Sequence, residues 1–305
     1  MRLDLWTFDV GVKATSAEEY AEACLSRVEK SWAEGADIVL FPEFCWLGLE
    51  RFTLPESGMR GVSDLFWDNL WPKAQDRLAQ AGKAVVLGSV PYWDADTSEL
   101  RNRAPICCDG QILHQDKLHL TPWEDAFAPG KELRLWRLGG LTFVVIICLD
   151  IEVPELSVLL RGQGVDVILV PSATETLLGV ERVDRCASAR AVELACCVGV
   201  THLTGGVDTE SGLVTENLGR TAFYTPSQSA WSESPRMTEG PVIDHGFQHF
   251  SCELDPTAWD HMHAAKSETN PSKIQVNPIS LLPLIEQTVK IVASFPPHPK
   301  NTQIC

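Results

Sequence analysis

Positive charge is scarce in this chain. Lysine and arginine supply 25 side chains against 41 aspartates and glutamates, a formal net charge of −16 over 305 residues. A general nucleic-acid binder needs a basic field to displace phosphate counterions, and this balance argues against that class. Docking on an anionic membrane surface is disfavoured for the same reason. Long apolar runs are missing too: stretches such as 141–149 are under half the length a membrane-spanning helix needs. The first twenty residues carry Asp4 and Asp9 and lack the apolar centre of a signal peptide, so the expectation is a soluble, cytoplasmic protein. The ten cysteines show no Cys-x-x-Cys spacing. Without an export signal, most are expected to be reduced, buried small hydrophobes. The adjacent pairs Cys107-Cys108 and Cys196-Cys197 would point to opposite faces of a strand, which prevents pairing or metal sharing.

What is present is an ordinary globular composition, 45% hydrophobic and 22% charged, in a chain long enough to stabilise its own core. Short apolar runs alternate with amphipathic stretches. Residues 2–10, 37–41, 83–90, 141–148, 165–170 and 196–203 read as strands, and 16–34, 62–81, 152–161 and 181–195 as helices. Ser16 and Glu19 have capping-box spacing. Asp109-Gly110 and Gly139-Gly140 are hairpin signals between short apolar runs. Strands alternating with helices, with hairpins added, predict an α/β fold on a mixed sheet. The domain is expected over 1–263. From 264 to 305 the composition changes to four lysines, two glutamates and six prolines, a tail read as packing on the domain or on a neighbouring subunit.

Three polar residues stand at strand ends: Glu43 after DIVLFP, Lys117 after QILHQD and Cys148 after LTFVVII. In an open α/β sheet, ligands gather beyond the carboxyl ends of the strands. A carboxylate, an ammonium and a thiol make a hydrolytic set, in which the carboxylate takes the thiol proton, the thiolate attacks and the ammonium holds the oxyanion. Taken singly, a thiol ending an apolar strand is a core residue. The flanks change that reading.

LFPEF at 40–44, DKLHLTPWE at 116–124 and ICLDIEVPEL at 147–156 together resemble the carbon–nitrogen hydrolase (nitrilase) superfamily, as do their order and separations of 74 and 31 residues. GVERVDRCASARAVELACCVG at 179–199 is similar to a later segment of that family, and the resemblance covers roughly 1–255. KLHLTPWE and the arginine-rich segment look most like the bacterial branch sometimes fused to acetyltransferase domains. No such segment is expected here, because the fold consumes the chain. The resemblance implies a four-layer αββα sandwich of two mixed β-sheets flanked by helices. It implies Cys148 as nucleophile, Glu43 as general base and acid, and Lys117 as oxyanion stabiliser, with the backbone N–H of Leu149 as second donor. Glu124 matches the family's second glutamate. The residue after the nucleophile is usually aromatic in the family and is Leu149 here, which changes the pocket wall but keeps the donor.

Trp123, Arg182 and Arg185 are the candidate substrate-binding residues, one of the arginines as receiver of a substrate carboxylate. Arg190 and Glu193 are read as an ion pair and Asp150 and Glu155 as structural groups at a helix N-terminus. His245 with His249, and His261 with His263, have metal-like spacing but no companion ligands, so no metal and no cofactor is expected. His119 is a minor candidate. The function expected is hydrolysis of a small-molecule amide through a thioester. Nitrile and carbamoyl hydrolysis, acyl transfer and an idle scaffold on the same fold are the alternatives. The partners expected are an amide or nitrile substrate and water, without nucleic acid or membrane. A homodimer or larger homo-oligomer is expected through the helices at 153–163 and 181–195, where the small residues Val183, Ala187, Ala191 and Ala195 allow close approach.

Overall fold

A computed structural model describes residues 1–210, 212–232 and 237–264 of the chain. The strands in chain order are β1 (Arg2–Trp6), β2 (Phe8–Asp9), β3 (Ile38–Phe41), β4 (Ala84–Leu87), β5 (Val90–Asp94), β6 (Glu99–Cys108) and β7 (Gln111–Asp116). Then follow β8 (Leu135–Leu138), β9 (Leu141–Val145), β10 (Val167–Ser172), β11 (Cys197–Thr204), β12 (Thr221–Tyr224), β13 (Met237–Glu239) and β14 (His249–Glu253). The α-helices are α1 (Ala17–Ala33), α2 (Gly58–Asp64), α3 (Trp71–Leu78), α4 (Pro154–Leu160), α5 (Leu177–Leu194) and α6 (Pro256–Ala264).

One sheet has the order β14-β1-β3-β4-β6-β5, with β7 added on β6, and the other β13-β12-β11-β10-β9-β8, with β2 added on β11. Each is mixed: β1, β3 and β4 run parallel, as do β9, β10, β11 and the short β2, and the remaining strands pair antiparallel. Period-two alternation sorts the side chains into layers. Ile38, Leu40, Ala84 and Val86 face the inter-sheet core with Phe143, Val145, Val167 and Leu169, whereas Val39, Phe41, Val85 and Leu87 face away, beneath α1–α3. On the second sheet, α5 lays Val183, Ala187 and Ala191 onto the same core cluster. The result is the expected four-layer αββα sandwich. Cys107 and Cys108 separate as the pleat requires, one in each cluster.

Several element boundaries differ from the sequence reading. The helix expected at 62–81 runs from Gly58 to Leu78 with a π-helical turn at Leu65–Leu70. Pro72 begins the following turn without an N–H to donate, and its ring displaces the preceding carbonyls, which widens the helix there. The strand expected at 83–90 stops at Leu87. Gly88 has φ +63°, and a Cβ there would lie 1.9 Å from the Pro42 carbonyl oxygen. The chain resumes as β5, which the reading missed, and β6 begins five residues before the apolar run that announced it. Both hairpins form with left-handed turn residues, Asp109 and Gly110 at φ 49° and 77° and Gly139 and Gly140 at 56° and 87°.

The small-residue stripe expected to face another subunit is internal. Val183, Ala187, Ala191 and Ala195 are all buried within the chain, because burying apolar area against the sheet is the stronger demand on that face. No helix among the described residues is long and apolar enough to cross a membrane. The tail expected to pack on the domain or a neighbour lies outside the described residues.

Candidate active site

β3 delivers Glu43. Beyond Pro42 the chain turns through Phe44, whose φ is +55° and whose N–H donates to Ser89 Oγ. That turn holds the Glu43 side chain in the interior, 1% exposed. Its Oε1 accepts from Lys117 Nζ at 2.8 Å and from Asn102 Nδ2 at 2.8 Å. Its Oε2 accepts from the backbone N–H of Ala173 at 3.0 Å. Lys117 follows β7 directly, and its own backbone is fixed to Asn102 and Gly130. The ammonium reaches a second carboxylate, Glu124 Oε2, at 2.6 Å. Glu124 closes a 3-10 turn, Pro122–Glu124, in a reciprocal capping box with Thr121.

Cys148 comes from the other sheet. β9 ends at Val145, short of the expected boundary, and Cys148 opens a 3-10 turn with φ +46°. The thiol accepts from Ser172 Oγ at 3.2 Å and donates to the Ala173 carbonyl at 3.6 Å. Asp150 in the same turn accepts from the N–H groups of Leu118 and His119 at 3.0 and 2.7 Å. It therefore clamps the loop that carries Lys117, instead of serving a helix N-terminus as expected. His119 Nδ1 lies against the same carboxylate.

Charge in this interior is tightly managed. Burial raises the Glu43 carboxyl above its ordinary range, against the pull of Lys117. Burial and the charge of Glu43 push the Cys148 thiol up to about 12, so at neutral pH it is a thiol. Burial works against the Lys117 ammonium, but the Glu43 and Glu124 carboxylates outweigh it and hold the group charged. The arrangement thus pairs a strengthened carboxylate base with a protonated sulfur and a permanent cation.

A cavity of about 290 Å³ opens onto Glu43, Lys117, Glu124, Cys148 and Leu149, with Trp123 and Arg182 also in its wall. Arg182 is paired with Glu152 Oε2 at 3.2 Å. Arg185 is not at the cavity: it is 78% exposed and pairs with Glu181. The side of α5 defined by Val183 and Ala187 faces the sheet, so a residue two positions from Val183 points to solvent. The Arg190–Glu193 pair forms at 3.0 Å, and Glu155 is exposed in the first turn of α4. His249 stacks on Trp6 and bonds Asp4, while His245 pairs with Asp244. Among the described residues no three His, Cys, Asp or Glu side chains come together in a way that could hold a metal ion. The sequence reading missed Asn102 and Ser172. Asn102 sits in LRNRAP, a polar run whose burial nothing in its composition announces.

Comparison with known proteins bears on this geometry. Residues 6–247 match the model of the carbon-nitrogen hydrolase family. The chain belongs to that family. A probable hydrolase, YhcX, of Bacillus subtilis is 28% identical over 187 residues, 59% of this chain and 36% of that protein, so the chain spans about a third of that relative. A deaminated glutathione amidase of Yersinia enterocolitica is 21% identical over 65% of this chain and 78% of its own. Among solved structures, an amidase from Nesterenkonia sp. has a TM-score of 0.63 at 21% identity, covering 87% of this chain and 95% of that one. Nit3 of Saccharomyces cerevisiae, a member of the nitrilase superfamily, has a TM-score of 0.62 at 18% identity, covering 88% and 95%. At these identities, the structural matches establish that this carbon–nitrogen hydrolase has their fold.

Proposed function

We propose that this carbon–nitrogen hydrolase is an amidase that cleaves a small-molecule amide through a thioester on Cys148. One observation carries the reading: an ammonium clamped between two buried carboxylates, Glu43 and Glu124, at the cavity that also receives a thiol. The amidase names of the Yersinia and Nesterenkonia proteins support it.

Glu43 takes the proton of Cys148, and the sulfur attacks the amide carbon. The carbonyl electron pair moves to oxygen, where Lys117 Nζ and the Leu149 N–H hold it. Glu43 returns the proton to the nitrogen as the C–N bond breaks, and ammonia or an amine leaves. A water molecule then gives a proton to Glu43 and attacks the thioester. Collapse of that second adduct releases the carboxylic acid and returns the proton to sulfur. Glu124 keeps Lys117 aimed and charged throughout. A second copy of this chain is the macromolecular partner, through α4 and α5.

The test is a panel of amides, nitriles and N-carbamoyl compounds, read by ammonia release and by the mass of the trapped acyl-enzyme. Amides give turnover and an adduct on Cys148. In Cys148→Ala the rate falls below about a hundredth of wild type, since losing a covalent nucleophile costs several orders of magnitude. Turnover that survives this change in a folded protein, or turnover confined to nitriles, rejects the reading.

A further inference from the structure

Five carboxylates line the cavity, Glu43, Glu124, Glu152, Glu175 and Glu216, against two cations, Lys117 and Arg182. Both cations are already committed. Lys117 is held between Glu43 and Glu124, and Arg182 is paired with Glu152. Glu175 and Glu216 are exposed at the mouth, and neither has an ion-pair partner among the described residues. A substrate carboxylate expected to find Arg182 would have to displace Glu152 while passing two unneutralised acids.

A second feature extends the same field. The cavity continues into a groove of about 700 Å³ that shares Glu175 and Glu216 and adds Asp9, Asp244 and His245. His245 is paired with Asp244, and Asp9 is fixed by the N–H groups of Gly11 and Gly246. The cavity wall also carries apolar side chains, Phe44, Leu47, Leu203 and Val214. The half-exposed Trp123 ring adds a π face suited to a cation.

We propose that the site selects amides carrying a cation, a protonated amine or guanidinium separated from the amide by a short apolar spacer, and rejects anionic amides. Glu175 and Glu216 are the residues that set this choice. The proposal rests on the amidase reading for its reaction, but its charge selection can be read without turnover. Clefts lined by one sign of charge concentrate ligands of the other, and the effect weakens with salt.

The experiment alkylates Cys148 with a chloroacetamide bearing a quaternary ammonium group, with iodoacetamide and with iodoacetate. In each case the sulfur–carbon bond forms, the halide leaves with its electron pair and the thiol proton passes to Glu43. Rates at Cys148, read by peptide mass, are divided by those of 2-mercaptoethanol with the same reagent. The half-buried Cys186 of the same protein controls for the overall charge of −16. The expected order is cation, neutral, anion, with about ten-fold between the ends at low salt, compressed at 1 M salt. Glu175→Gln with Glu216→Gln brings the ratio toward that at Cys186, and Glu175→Lys lowers it further. Equal normalised rates in the wild type, or a ratio the double variant leaves in place, overturn the proposal. A matched set of cationic, neutral and anionic amides separates the two readings. Charge-ordered labelling without ammonia release from any amide rejects the amidase and keeps the selection. Ammonia release indifferent to charge does the reverse.

Discussion

Asn102 Nδ2 lies 2.8 Å from Glu43 Oε1, and the same nitrogen lies 2.8 Å from Glu124 Oε1. One side-chain amide therefore gives its two hydrogens to two buried carboxylates that flank a single ammonium. Without those donors the cluster holds two anions against one cation with less to compensate them. Asn102→Ala is expected to lower kcat ten- to a hundred-fold, since a hydrogen bond to a buried charge is worth about 2 kcal/mol. Asn102→Asp adds a third carboxylate and raises Glu43 further. Its pH–rate profile moves to higher pH on the acid side, a displacement that general loosening of the fold does not produce.

The direction of the Glu43 shift fixes a pH dependence. As the proposed base, Glu43 must be ionised to accept the thiol proton, so kcat/KM is expected to rise with pH through its pKa. Because burial raises that pKa, the rise lies above the ordinary carboxylate value of 4.5. Glu43→Gln removes the acid limb together with most of the rate, in both formation and breakdown of the thioester. An acid limb at or below 4.5 in the wild type contradicts the burial argument.

Stability has a separate pH lever at the edge of the first sheet. Asp4 on β1 accepts from His249 Nε2 and Ser251 Oγ on β14, both at 2.7 Å. Burial alone would raise its carboxyl, but these bonds outweigh burial and lower it to about 2. A depressed folded pKa gives stability that is present above the unfolded value near 3.8 and lost as pH falls through 2. The difference is about 2 kcal/mol. Asp4→Asn is expected to lose about that much at neutral pH, with a smaller loss at pH 2, measured by urea denaturation at both.

Exposed apolar side chains mark the proposed subunit contact. Leu159 on α4 and Leu178 on α5 are 60% and 69% exposed, with Val158 and Val192 also uncovered. Light scattering is expected to give at least twice the 33.7 kDa chain mass. Leu159→Glu with Leu178→Glu should shift that mass toward the monomer. A wild-type protein of single-chain mass removes the prediction.

The layers were legible because periodicity reports burial. β3 and β10 are apolar on both faces, and α1 carries its cap at Ser16. Polar residues placed in the interior were not legible, since composition assigns them to the surface. Asn102 and Arg101 hid the first half of β6 for that reason. The convergence of Glu43, Lys117 and Cys148 came from resemblance, because no spacing rule brings together residues on two different sheets. Arg182 and Arg185 could not be told apart until α5 had a fixed starting point and hence a fixed rotation.

Cys148 occupies left-handed backbone at φ +46°, a region in which a side chain costs energy that glycine does not pay. The thiol is therefore kept at the expense of the fold that presents it. Cys148→Gly should melt at a higher temperature than Cys148→Ala, an order opposite to the usual rule for glycine and alanine in a buried position. Selection for thermal robustness alone would erode this residue, and the proposed role as nucleophile is the demand for sulfur that opposes it.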